Sequence, residues 1–198
     1  MTQARTAAAG GHPYAPASGY RLTVPDGWFP VDLEPGRRER SVAALVKRQF
    51  AGIDNAPHLK AQAREQLLAQ TLAAQAAGGL EMFLSLDPVA GIPLAASLVI
   101  FLVPPSGTQG VTAADLARSL IGDERRVTVV DLPVGQAVRA LGRRSSPDRQ
   151  ESAALEVFVP VPHNGEWLLL SFATPVSPLV PALTKLFDAI CTTLRWDN

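Results

Sequence analysis

The chain has 198 residues, 47% of them hydrophobic, and its 18 basic and 18 acidic side chains cancel. That is enough apolar material for one domain with a tail, and the lack of a basic surplus argues against a dedicated nucleic-acid or anionic-membrane binder, which needs one to release counterions. A single cysteine, Cys191, excludes an intrachain disulfide and a cysteine metal cluster, and His12, His58 and His163 lack metal-ligand spacing.

Residues 1–17 are largely Ala, Gly, Pro and Thr with little to bury, which predicts a disordered lead-in to a single α+β domain over 18–198. The lead-in lacks the continuous apolar run of a signal peptide, which predicts a cytoplasmic protein. Tyr20 to Val24 alternates as a short strand. Pro25-Asp26-Gly27 then reads as a turn, with proline presetting φ and glycine taking the left-handed position, and returns Trp28 to the core.

Two helices form an elaboration over 38–79. From Arg38 to Phe50, Val42, Leu45, Val46 and Phe50 fall on a helical stripe. The second helix begins near Pro57, a residue suited to a first helical turn, and stops at Gly78-Gly79. Leu59, Ala63, Leu67 and Ala74 share one face, with Leu68 and Leu72 opposite. A helix apolar on both sides is expected to be sandwiched, inside its own domain or against a partner.

Leu80 to Leu86 alternates as a half-buried strand. The uncharged segment Pro88 to Pro105 is too short and too interrupted to span a bilayer, which takes about 20 apolar residues. Its run from Leu94 to Val103 predicts a fully buried central strand. Thr112 and Asp115 make a capping box that opens a helix through Leu116, Leu120 and Ile121, closed by Gly122. Val127, Val129 and Val130 make a strand, and Gln136 to Arg144 another, interrupted at Gly142. Ala154–Val161 and Glu166–Ala173 predict a hairpin around Asn164-Gly165, the dipeptide suited to a type I′ turn. Ser177 as N-cap and Pro178 at the first position open a last helix whose stripe is Val180, Leu183, Phe187 and Ile190. Cys191 to Trp196 either extends it or adds an edge strand.

Val24-Pro25-Asp26-Gly27-Trp28, Leu132-Pro133-Val134-Gly135-Gln136-Ala137, Leu170-Ser171-Phe172-Ala173-Thr174-Pro175 and Thr193-Leu194-Arg195-Trp196, taken in this order, resemble the Mog1/PsbP-like fold family. The resemblance covers the two ends, roughly half the chain. It implies a twisted antiparallel sheet flanked by helices, with the helical pair of 38–79 inserted. The chain is also similar to uncharacterised actinobacterial proteins, some associated with type VII secretion regions. Members of the family serve as binding or assembly factors, and no set of functional residues carries over.

No nucleophile elbow, P-loop or dinucleotide-binding glycine pattern is present. Ser145 and Ser146 lie in a polar loop away from any histidine, His163 reads as a turn residue, and Cys191 as a small buried hydrophobe. Glu81, Asp87 and Glu156 are not paired at a spacing that forces proximity. No catalytic, cofactor-binding or metal-ligating residue is therefore nominated. Two surfaces remain as candidates for partner contact: Leu68 and Leu72 on the second helix, and the cationic strands of Arg125, Arg126, Arg139, Arg143, Arg144 and Arg149, of which Arg139, Arg143 and Arg144 are the nominated contacts. The function expected is a non-enzymatic protein-binding or assembly module, its partner another protein or a second copy. The alternative is a small apolar ligand held between sheet and helices.

Overall fold

The computed structural model describes residues 19–53, 55–85, 88–89, 92–93, 96–104, 110–122, 124–145, 151–163 and 165–197. The lead-in 1–17, Asp87, Ser146, Asp148, Arg149 and Asn164 lie outside the described residues. Packing divides the chain into two compact units, Gly27–Phe101 and a second made of the residues before and after it.

The Gly27–Phe101 unit opens on β2 (Trp28–Val31), released by the turn in which Gly27 has φ +93°. Helix α1 (Arg38–Gln49) buries Val42, Leu45 and Val46, and α2 (Pro57–Ala76) buries Leu67, Thr71 and Ala74. With Val31, Leu33, Met82 and Leu84 these residues form one apolar cluster. Val42 and Leu45 are essentially inaccessible to water, which is worth about 1.5–3 kcal/mol for each such side chain.

Both glycines after α2 act, for different reasons. Gly78 takes φ +82° to end the helix, while a Cβ on Gly79 would lie 2.8 Å from the Ala74 carbonyl. Strand β3 (Gly79–Ser85) pairs antiparallel with β2 and with β6 (Ala96–Val103). Between them lies the small pair β4 (Pro88–Val89) and β5 (Ile92–Pro93). Of the fully buried strand expected over Leu94–Val103, Leu94 and Ala95 lie outside the described residues and the rest is half-buried. Its interior side chains are Ala96, Leu98 and Ile100, with Ser97, Val99 and Phe101 between them partly exposed, the period-two pattern of a pleated strand.

In the other unit the first and last described strands meet. Strand β1 (Tyr20–Arg21) pairs with β11 (Arg195–Trp196), so the terminal segment adds a strand. The Thr193 hydroxyl accepts from the Thr23 N–H at 3.0 Å. Four strands, β10 (Trp167–Thr174), β9 (Glu151–Pro160), β8 (Gly135–Ser145) and β7 (Arg126–Leu132), lie side by side in that order, each antiparallel to the next. Gly142 does not interrupt β8. It sits in register with Ala154, and a Cβ there would crowd the Glu124 carbonyl at 3.2 Å.

Helix α3 (Ala113–Leu120) covers one face of these strands through Leu116, Ala117 and Leu120 against Val127, Val138, Phe158 and Trp167. Its capping box is present as expected, but Ile121 lies past its end and is 69% exposed. Helix α4 (Val180–Cys191) packs on the strands too, with Phe187 stacked on Phe172 at 4.6 Å between ring centroids.

Two local expectations are corrected. The β9–β10 ladder ends at Pro160 and Trp167 with one further bond from the Val161 N–H to the Glu166 carbonyl, so the connection has four residues and is not a two-residue type I′ turn. Pro162 presets φ right after Val161 and starts the turn early, and His163 and Gly165 take the left-handed conformations. Ser177 does not cap α4. It opens a short 3-10 turn, Ser177–Leu179, and α4 starts at Val180 without a side-chain cap. Pro178 and Pro181 have no N–H, which removes donors a cap would serve.

Among the described residues the chain is thus α+β, with antiparallel strands and four α-helices. No described helix is long and apolar enough to cross a membrane.

Candidate protein-contact surfaces

The strand register separates the cationic side chains that the sequence grouped together. Side chains alternate between sheet faces, and Thr128 faces Arg139 while Val138 faces Phe158. Arg126, Arg139 and Arg143 therefore share one face, and Arg144 and Glu156 the other.

Four of these arginines are held by acids of the same chain. The Arg139 guanidinium donates to Asp188 of α4 at 2.8 and 3.1 Å. Arg143 donates to Glu151 at 2.6 Å. Glu156, its side chain only 10% exposed, bridges Arg144 and Arg125, the latter at 3.3 Å. A carboxylate withdrawn from water is costly unless neutralised, and two guanidinium groups at its rim do that. Arg139, Arg143 and Arg144 thus spend charge on internal pairing, which leaves this region less positive than the sequence suggested.

The two nominated leucines of α2 also separate. Leu68 packs partly against the cluster of its own unit. Leu72 is 51% exposed, and so is Leu59 at 46%. Ala69, Ala73 and Ala76 are exposed beside Leu72, at i, i+3, i+4 and i+7 spacing along one face. No charged residue occurs between Glu65 and Glu81, so the last two to three turns of α2 present an outer face of Ala, Leu and Gln alone. The sequence signal for this face was that gap in charge, more than the helical periodicity.

Buried polar groups elsewhere serve structure. Arg38, 4% exposed, donates to the Leu33 carbonyl at 2.8 Å and to the Gln75 side chain in the last turn of α2, a helix end whose carbonyls favour a cation. Cys191 is 1% exposed. Burial, and after it the Asp188 carboxylate, pushes its thiol from 9.0 up to about 12, so it stays protonated at neutral pH and is a poor nucleophile. His163 is exposed in its turn.

No family model matches the chain, and no curated protein matches it. Two solved structures are similar in outline. LpqN of Mycobacterium tuberculosis, involved in cell envelope biogenesis, has 12% sequence identity and a TM-score of 0.49 over 96% of this chain and 88% of its own. Cyanobacterial PsbP (CyanoP) from Synechocystis sp. PCC 6803 has 13% identity and a TM-score of 0.45 over 94% of this chain and 97% of its own. At these values neither likeness carries a family or an activity to this chain.

Proposed function

We propose that the chain is a non-enzymatic protein-binding or assembly module, and that it holds another protein on the outer face of the C-terminal half of α2. The observation behind this reading is an exposed, uncharged helix face with Leu72 at its centre. Solvent-facing helix positions usually carry charges, which cost little there and oppose association. Small side chains at positions 69, 73 and 76 allow a second backbone to approach, and Leu72 supplies apolar surface whose burial favours association.

The test is site-specific photo-crosslinking in the native host, with the crosslinker at position 72 and, as control, at the exposed Lys185 of α4. A discrete adduct at 72 that is absent at 185, and absent at a neighbouring crosslinker position 76 when Leu72→Glu is introduced, is the expected result. No adduct at 72, or the same adducts at both positions, overturns the reading.

A further inference from the structure

Helices α1 and α2 run antiparallel. Arg38 at the start of α1 donates to Gln75 in the last turn of α2, so the end of α1 and the start of α2 lie together at the opposite end of the pair. The connection there runs from Phe50 to Ala56, and both of its limits turn inward. Phe50 packs on the apolar cluster of its unit, and Ala56 is buried. The aliphatic side chains left outside at this corner are Ile53, 49% exposed, and Leu59, 46% exposed. A single exposed leucine needs no explanation; two aliphatic side chains at one convex corner, amid cations, do.

The chain as a whole is neutral, but this corner is not. Residues 44–64 hold Lys47, Arg48, Lys60 and Arg64 against one acid, Asp54, with Glu65 the next acid in the chain. Lys47 and Arg48 stand in the last turn of α1, and Lys60 and Arg64 are one helical turn apart near the start of α2. Lys47 and Arg64 are exposed and Lys60 is half-buried. Among the described residues none of these three is held by an acid.

We infer that the α1–α2 corner docks on an anionic lipid surface, with Ile53 and Leu59 entering the headgroup boundary while Lys47, Lys60 and Arg64 meet the phosphates. Lipid surfaces attract basic segments electrostatically and take up apolar side chains at the same depth, and long cationic side chains keep their charged ends in the headgroups while their stems lie along apolar surface. A convex tip favours this occupant, because a fluid bilayer moulds around it whereas a folded partner needs a matching hollow. Surfaces for single-stranded nucleic acid stack bases on aromatic rings, and Phe50 here is turned to the core of its own unit. The corner lies about 20 Å along α2 from Leu72, so this inference does not depend on the α2 face proposed above.

Flotation of the full chain with vesicles tests this, using phosphatidylcholine alone and phosphatidylcholine with about one third phosphatidylglycerol. The mixed vesicles should carry the protein and the neutral ones should not, with binding falling as salt rises. Lys47→Gln and Lys60→Gln should each cut partitioning about fivefold, and Ile53→Ser with Leu59→Ser at least tenfold. An environment-sensitive fluorophore on Leu59→Cys should shift to shorter wavelength on the mixed vesicles, and one on Leu72→Cys should not; the native Cys191 is buried and escapes the label. No flotation, equal flotation with both vesicles, flotation that the serine variants leave unchanged, or a shift at position 72 and not at 59 overturns the proposal. So does polyglutamate that shifts the position-59 label as far as the vesicles do, which would indicate an acidic protein instead. The substituted positions are at the surface, and a melting curve for each variant separates misfolding from lost binding.

Discussion

Arg139 of β8 grips Asp188 of α4 with two parallel hydrogen bonds, Nε at 2.8 Å and Nη2 at 3.1 Å, across 49 residues of sequence. The fork is the geometry that guanidinium offers a carboxylate and that lysine cannot reproduce. The Arg139 side chain is 16% exposed but that of Asp188 is 44% exposed, so solvent screening keeps the pair modest. A double-mutant cycle with Arg139→Gln and Asp188→Asn should give a coupling of about 1 kcal/mol, weakening as salt is added. Denaturant midpoints measure it, and zero coupling at low salt contradicts a working pair.

Arg38 ties the segment before α1 to the end of α2 through the Leu33 carbonyl and Gln75. Arg38→Met keeps much of the side-chain volume but leaves both acceptors without their donor, a loss of about 1–3 kcal/mol. Hydrogen exchange should show the amides of the last turn of α2 opening sooner, with those of β8 and β9 little changed. Uniform acceleration would mean that Arg38 is a general core residue and not a local clamp.

The raised pKa of Cys191 links stability to pH. Its folded value of about 12 stands above the ordinary 9.0, so the unfolded chain loses the proton first as pH rises. The contribution is complete below about pH 9 and fades between 9 and 12, at about 1.4 kcal/mol per pH unit. Between pH 7 and pH 10 the native protein should therefore lose more stability than Cys191→Ala does. Equal losses would show that the thiol is not shielded. Alkylation at neutral pH should be slow in the native protein and fast in denaturant.

The capping box of α3 has its own signature. The Thr112 hydroxyl oxygen accepts from the Asp115 N–H at 3.2 Å, and Asp115 accepts from the Thr112 N–H at 3.1 Å. The Thr112 hydroxyl, then its backbone N–H and the nearby Arg118, hold the Asp115 carboxyl below its usual 3.8. That stabilisation is present above about pH 4 and is lost as pH falls through the lowered value. Thr112→Ala should cost about 1 kcal/mol at neutral pH. Thermal melts at pH 7 and at pH 2.5 check this, since the difference between wild type and variant should shrink at the lower pH.

What the sequence determined by itself was local. Thr112 and Asp115 stand three residues apart, so a capping box is decided within one turn of helix, and the left-handed Gly78 needed only its place after a helical run. The hairpin strands were legible for the same reason, although Pro162 shifted the turn. Tertiary structure decided the rest, because it rests on contacts between residues far apart in the chain. Arg139, Arg144 and Arg125 found their acids at Asp188 and Glu156, which turned a cationic cluster into a set of internal pairs. Leu68 and Leu72 differ by one helical turn, yet one packs on the core and the other faces water, since only the neighbours of α2 decide which side is covered. Hydrophobic patterning reports what can be buried; which of those surfaces stays open is settled by what packs beside it.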